Sequence, residues 1–317
     1  MSESNELRVS QMTWEAEGVL SVRFIDPSGA DLPSWEPGAH LVLNLPNGIV
    51  REFSLCSDPE DLSGWTVAVL REPSSRGGSA YVHLELRVGD VITVDGPRTN
   101  FHLEPATNYL LIAGGIGITP ILAMARELAR RGEEWRMLYA GRSRVTMAFT
   151  EELQELGAEK VRLHADDEAG GPPALGEVLS SVGDDTLVYC CGPEALLKGV
   201  EEGLADKVCL RLERFKAPEP VRPPEGGDRP FDIVCAGSGT LVHVPVGTTA
   251  LDALKLAGFD MPSSCTEGIC GTCETKVLAG TVDHRDFLLT ESEKEAQDTM
   301  FVCVSRALSP ELTLDVS

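Results

Sequence analysis

The sequence predicts a multidomain chain in three parts: an all-β region, an α/β region built on a parallel sheet, and a compact C-terminal unit. Three observations predict it. Short β-rich runs broken by turn residues fill the chain up to about Leu103. Apolar strands alternate with helical stretches after Pro105. A proline-rich segment from Ala217 to Asp228 then sets off everything from Phe231 onward. The length of 317 residues suits two or three domains at roughly 100–200 residues each. With 42% apolar and 24% charged residues the mixture is that of a globular chain, not a disordered one.

In the first region the β-rich runs are Leu7–Met12, Val19–Ile25, His40–Leu45, Val50–Leu55, Trp65–Leu70 and Val91–Val94. Turn residues such as Asp26-Pro27-Ser28-Gly29 and Pro46-Asn47-Gly48 separate them. Many short strands at close spacing suggest a small barrel or a sandwich. In the second region the strand runs are Tyr109–Ala113, Trp135–Ala140 and Leu187–Cys191. The stretch Tyr109 to Ala125 is apolar enough to imitate a membrane span. Gly114, Gly115, Gly117 and Pro120 break it, which makes it a buried strand, a tight turn and a helix start. Thr119 is the expected N-cap of that helix, Pro120 its first residue and Gly132 its end. Alternation of strand and helix implies a parallel sheet covered on its faces. The segment Ala217–Asp228 holds four prolines and two glycines and reads as a partly stiff linker. Beyond it, Phe231–Ala236 and Leu241–Val246 form a hairpin around Gly237-Ser238-Gly239, and Thr248 or Thr249 caps a helix ending near Gly258.

The formal net charge is −23. Such a surface repels phosphate backbones and anionic lipid, so nucleic acid and membrane are poor partners and a basic patch on another protein is a better one. Solubility accounts for the charge equally well. The first residues, MSESNELRV, are polar and lack the apolar core of a secretory signal. A cytoplasmic protein is expected, in which the nine cysteines stay reduced and a tight cysteine cluster means metal or catalysis.

That cluster is Cys265-x4-Cys270-x2-Cys273, followed by Cys303. It is the spacing with which plant-type ferredoxins hold a [2Fe–2S] centre. Thr266, Gly268, Gly271 and Thr272 are small or turn-forming and let backbone N–H groups approach the sulfur atoms. Structural zinc would favour two CxxC knuckles, and a Rieske centre would need two histidines where no Cys-x-His occurs. Cys56, Cys209 and Cys235 stand alone and read as structural. The run PSSCTEGICGTCETKVLAG resembles the plant-type ferredoxin loop. That resemblance implies a β-grasp fold and one-electron transfer.

Four further motifs lie upstream. Arg51-Glu52-Phe53-Ser54-Leu55 resembles the Arg-x-Tyr/Phe-Ser signature of ferredoxin-reductase-type flavoproteins. A cation there can pair with a flavin phosphate, an aromatic ring can pack on the cofactor, and a hydroxyl can bond near the reactive N5. Arg76-Gly77-Gly78-Ser79 is a glycine-rich turn whose N–H groups could cradle a phosphate. Gly114-Gly115-Ile116-Gly117-Ile118-Thr119-Pro120 follows a strand and opens a helix, where a pyrophosphate can approach. Cys191-Gly192-Pro193 ends a later strand. Each alone has an ordinary reading as a surface strand, a loop tip or a strand-to-helix turn.

Their order, followed by Glu213-Arg214-Phe215, linker and ferredoxin, decides. End to end the chain resembles the phthalate dioxygenase reductase family, with the vanillate demethylase reductases. The resemblance implies an FMN-binding antiparallel β-barrel over 1–104, a nicotinamide-binding α/β domain over 105–216, a linker over 217–229 and a β-grasp [2Fe–2S] ferredoxin domain over 230–317. It implies that Arg51, Phe53, Ser54, Leu55, Arg76, Gly77, Gly78 and Ser79 hold FMN. Gly114, Gly115, Gly117, Thr119, Pro120, Cys191, Gly192 and Pro193 would hold the nicotinamide nucleotide. Phe215 would stack on the flavin, Ser54 and Cys191 would place groups rather than attack, and Cys265, Cys270, Cys273 and Cys303 would ligate iron. Two departures stand out. Phe53 replaces the commoner tyrosine. After Trp135–Ala140 the chain reads Gly141-Arg142-Ser143-Arg144, with no acid for the ribose hydroxyls and two arginines for a 2′-phosphate, so the resemblance says NADH while the residues leave NADPH open. The expected function is an NADH-dependent reductase, acting as a monomer and passing electrons through FMN and the cluster to a terminal oxygenase of Rieske type. A cytochrome P450 partner, or a redox carrier or sensor without turnover, are the rival readings.

Overall fold

The computed structural model describes residues 4–73, 75–204, 209–218 and 227–316, so 219–226, the middle of the expected linker, lies outside the described residues. The chain divides into two compact units, Met1–Arg214 and Phe215–Ser317.

The first unit begins with β1 (Ser4–Ala16), β2 (Val19–Ile25), β3 (Ala39–Asn44), β4 (Val50–Ser54), β5 (Trp65–Leu70), helix α1 (Gly78–Leu84) and β6 (Val91–Thr99). The strands pair antiparallel in the order β4-β3-β6-β1-β2-β5. A bridge between Leu55 and Val67 joins the two edges, so the sheet closes as a barrel rather than stacking as a sandwich. Closure removes both open edges, which a six-stranded sheet would otherwise expose. Inside lie Leu7, Val9, Leu41, Leu43, Val67 and Ile92, and α1 adds Val82.

The same unit continues with β7 (Asn108–Gly114), a 3₁₀ turn (Gly115–Gly117), α2 (Ile118–Arg131), β8 (Glu134–Gly141), α3 (Thr150–Gly157), β9 (Val161–Ala165), α4 (Asp166–Ala169), α5 (Leu175–Leu179), β10 (Thr186–Cys191), α6 (Glu194–Gly203) and β11 (Leu210–Glu213). All five strands are parallel, in the order β11-β10-β7-β8-β9. Helices α2 and α3 bury one face, with Ile121, Leu122, Leu128 and Leu153, and α5 and α6 bury the other, with Leu179, Leu197 and Val200. Burial on both faces explains why β7 is a continuous apolar run. Helix α2 also joins the sheet to the barrel: Ala123 enters the barrel core, and the Arg126 guanidinium donates to the Cys56 carbonyl while pairing with Glu152.

The expected cap of α2 needs correction. Gly117 precedes the helix, Thr119 is its second residue and Pro120 its third. The 3₁₀ turn advances the start, and the Thr119 hydroxyl donates to the Ile116 carbonyl at 3.0 Å instead of capping an N–H. Gly132 ends the helix as expected, at φ 67°.

The second unit contains β12 (Phe231–Cys235), β13 (Thr240–Val244), α7 (Ala250–Leu256), β14 (Glu274–Ala279), β15 (Val282–Asp283), α8 (Glu291–Ala296), β16 (Thr299–Phe301), β17 (Arg306–Ala307) and β18 (Glu311–Leu314). Its main sheet runs β13-β12-β18-β14-β16, with β12 and β18 parallel and the other pairs antiparallel. Helix α7 buries Ala250, Leu251, Ala253 and Leu254, which is the β-grasp arrangement of a helix clasped by a mixed sheet. The expected hairpin is β12–β13. Thr249 is the cap of α7, accepting from Asp252 N at 3.0 Å, a contact worth about 1 kcal/mol.

Candidate functional site

In an open parallel sheet, ligands bind beyond the carboxyl ends of the strands at the point where the strand order reverses. Here the chain runs outward from β7 through β8 to β9, then returns to place β10 and β11 on the other side of β7. The reversal therefore falls between β7 and β10. Both glycine turns expected to bind nucleotide sit there: Gly114–Pro120 after β7 and Cys191-Gly192-Pro193 after β10. They interlock backbone to backbone. A Cβ on Gly117 would lie 2.3 Å from the Cys191 carbonyl oxygen, and one on Gly192 would lie 2.9 Å from Gly114 Cα. Gly115 takes φ 54° and has open space around it. The residues thus fit a pyrophosphate: bare backbone at two adjoining turns, with nothing but glycine able to stand there.

On the barrel, β4 carries Arg51, Phe53 and Ser54. Arg51 and the Arg76–Ser79 turn, distant in sequence, come together. The Arg51 Nη2 donates to the Arg76 carbonyl at 3.4 Å, and a Cβ on Gly78 would meet Arg51 Cγ at 2.6 Å. Gly77 takes φ 97°. The Ser75 hydroxyl accepts from Gly77 N and Ala80 N, at 3.1 and 3.2 Å, and from the Ser79 hydroxyl at 3.0 Å. Ser75 therefore shapes the turn, a role its sequence setting did not signal. A cation beside a glycine-lined backbone fits the phosphate of a flavin mononucleotide. Phe53 is half-buried against the barrel core, while Leu55 is buried within it, its N–H donating to the Ala39 carbonyl at 2.8 Å.

Where β4, β10 and β11 meet, three polar groups converge. Cys191 stands opposite Glu213 in the parallel register of β10 and β11, and its Sγ donates to Glu213 Oε2 at 3.8 Å. Ser54, at the end of β4, also hydrogen-bonds the Glu213 carboxyl. Desolvation by burial is the main cause that pushes Glu213 up to about 8, with the Glu52 charge adding to it and the Cys191 and Ser54 bonds opposing it. Burial likewise holds the Cys191 thiol protonated, well above its ordinary range. A buried, protonated thiol is a poor nucleophile, consistent with a placing role. Glu213 was visible only as part of the Glu-Arg-Phe motif, because its partners lie 22 and 159 positions away in the chain. Arg214 next to it pairs with Glu194 and Glu201 of α6, at 3.3 and 3.1 Å. Phe215 is 39% exposed.

The expectation that no acid stands by Arg142 and Arg144 is corrected. Glu168, in the connection after β9, reaches Arg144 Nε at 3.1 Å. The acid comes from the neighbouring connection and so was hidden in the local sequence.

In the second unit, the four cluster cysteines are brought together in two pairs. The Cys265 and Cys270 thiols hydrogen-bond one another, and so do those of Cys273 and Cys303. Among the described residues no three histidine, cysteine or carboxylate groups converge on a single point fit for one metal ion. Two thiols at each of two places suit a two-iron centre, whereas tetrahedral zinc needs all four around one ion. Cys265 is half-buried and the other three are buried, so one edge of the site faces outward. The Glu267 N–H donates to Cys265 Sγ at 3.3 Å, and Gly268 holds φ 73° against Val304 and Asp286. Cys56 is buried in the first unit, and Cys235, on β12, is buried in the core of the second unit, to which Cys273 and Cys303 also belong.

A family described as the 2Fe-2S iron-sulfur cluster binding domain matches residues 233–308, and one described as the oxidoreductase NAD-binding domain matches residues 111–202. Phenoxybenzoate dioxygenase subunit beta of Ectopseudomonas oleovorans is 40% identical over 98% of this chain and 97% of its own. Phthalate dioxygenase reductase of Burkholderia cepacia is 36% identical over 98% and 97%. A solved structure of phthalate dioxygenase reductase, described as modular for electron transfer from pyridine nucleotides to [2Fe–2S], superposes with TM-score 0.71 at 35% identity, covering 98% of each chain. An intact type IV self-sufficient cytochrome P450 monooxygenase superposes with TM-score 0.91 at 41% identity, covering 98% of this chain, which spans 41% of that protein's length. Among the described residues no helix is long and apolar enough to cross a membrane. The chain belongs to the phthalate dioxygenase reductase family, with an NAD-binding oxidoreductase domain followed by a [2Fe–2S] cluster-binding domain.

Proposed function

We propose that the protein is the reductase component of a multicomponent oxygenase, delivering electrons from NADH to a Rieske-type terminal oxygenase. The observation that carries this reading is the presence, in one chain, of interlocked nucleotide turns, a phosphate cradle on a barrel and two thiol pairs. FMN supplies the change from two-electron to one-electron transfer and the iron–sulfur centre a one-electron exit. The chain's own residues position and exclude. Gly114, Gly115 and Gly117, with Thr119 and Pro120 fixing the helix start, give the pyrophosphate its seat. Arg51 and Gly77–Ser79 hold the flavin phosphate. Ser54, Cys191 and Glu213 form a buried hydrogen-bonded set at the strand ends, where the protonated carboxyl can donate at neutral pH. Phe215 is an exposed aromatic ring of the kind that would stack on a flavin. No general acid or base is required, so placement carries the rate.

The reducing cytoplasm is the setting in which a loop with this cysteine cluster keeps its thiols available for iron. A second reading, in which the terminal acceptor is a P450 haem, is favoured by the likeness to the self-sufficient P450. The test offers the purified protein, under NADH, a Rieske oxygenase and a P450 separately in stopped flow. Fast reduction of the Rieske centre with slow reduction of the haem supports the proposal. The reverse order overturns it in favour of the second reading.

A further inference from the structure

In doubly wound sheets the adenosine ribose lies past the end of the second strand, where a carboxylate takes its hydroxyls or an arginine takes a 2′-phosphate. The second strand here is β8, and Arg142, Ser143 and Arg144 follow it. The next connection delivers Asp166, Asp167 and Glu168 to the same place. The two connections are joined backbone to backbone, Asp167 N donating to the Arg142 carbonyl at 3.1 Å. Arg144 Nε then pairs with Glu168 Oε2 at 3.1 Å, the side chains being 44% and 56% exposed. Asp166 lies 3.4 Å from His164 Nε2.

We propose that Glu168 selects the coenzyme: as a positioning residue acting through Arg144, it holds the guanidinium that a 2′-phosphate would need and adds a negative charge beside it. This rests on the nucleotide reading of the β7–β10 crevice and goes beyond it by naming the residue that sets the choice. Local sequence, with two arginines and no acid, leaves NADPH open; the pair with Glu168 argues against it. An exposed ion pair is worth about 1 kcal/mol or less, and freeing the Arg144 guanidinium from it for a 2′-phosphate changes affinity on that scale. The backbone bond between the connections keeps the two residues within reach of one another.

The test measures 2′,5′-ADP and 5′-ADP binding by calorimetry on the flavin-loaded full chain, together with NADPH and NADH kinetics with ferricyanide. Glu168→Gln should raise the affinity ratio of 2′,5′-ADP to 5′-ADP about tenfold, the scale of one charge-assisted contact. The kinetic gain for NADPH should fall in KM rather than kcat, which a general loosening of structure would not produce. In the Glu168→Gln, Arg144→Ala double variant the gain should vanish. An unchanged ratio in Glu168→Gln, with 5′-ADP still bound, would overturn the role of Glu168 and leave the nucleotide site standing. A gain that survives loss of Arg144 would overturn it as well. Wild-type protein that binds neither nucleotide would instead sink the reading of the crevice itself.

Discussion

Gly117→Ala tests whether the interlocked turns seat the nucleotide. Gly117 has φ −61°, so alanine meets no backbone strain there. The obstacle is contact alone. Its Cβ would lie 2.3 Å from the Cys191 carbonyl oxygen, 2.5 Å from the Cys191 carbonyl carbon and 2.7 Å from Gly192 N. All three are backbone atoms at the end of a central strand, and no rotamer can relieve them. Restoring ordinary contact requires the two turns to part by roughly 1 Å, and a displacement of that size near a reacting group costs about 100-fold in rate. Overpacking of this kind also costs about 1–3 kcal/mol of stability. The expected result is NADH-dependent ferricyanide reduction with kcat/KM lowered about 100-fold, and a Tm lowered by about 2–10 °C for a unit of this size. The control is Gly176→Ala, which has nothing within 4 Å of its Cβ and should stay near wild type. A Gly117→Ala protein within about twofold of wild-type kcat/KM would refute the role assigned to the interlock.

Further outcomes follow from the other sites. Gly78→Ala would push its Cβ to 2.6 Å from Arg51 Cγ. The arginine must swing out, and flavin affinity, read by fluorescence on release, should weaken about tenfold, the worth of one charge-assisted bond. Cys303→Ser should lose the visible absorption of the cluster, whereas Cys56→Ser and Cys235→Ser should keep it; bleaching in either of the last two would displace the assigned ligands. Glu213 is raised to about 8 from 4.5. The native state therefore holds its proton to higher pH than the unfolded chain, and the stability this contributes is present in acid and lost as pH rises through 8. Glu213→Gln should flatten the decline of Tm between about pH 5 and 9; an unaltered slope would show that the carboxyl is ionised throughout.

Much of the fold was legible because its signals are local. The bounds of Val19–Ile25 and Trp65–Leu70 coincide with β2 and β5, since alternation and flanking turn residues define both ends. The cysteine spacing was legible because one loop carries three of the four thiols. The start of α2 was misplaced by two residues because a 3₁₀ turn precedes it, and nothing in Gly-Ile-Gly marks where 3₁₀ hydrogen bonding gives way to α. What remained hidden was assembled by topology. Ser54, Cys191 and Glu213 sit on three strands; the β10–β11 register pairs the last two, and the meeting of barrel and parallel sheet adds Ser54. Glu168 was hidden for the same reason: parallel strand order places its connection beside that of Arg144.

The cluster as sole exit for electrons can be tested in the full chain with Cys273→Ser. The variant should keep its flavin and reduce ferricyanide from NADH at near the wild-type rate, because that acceptor reaches the flavin directly. Its NADH-driven turnover with the terminal oxygenase should fall to background. Turnover near the full rate without a cluster would contradict the scheme, because electrons would then leave from the flavin and the C-terminal domain would not be the exit.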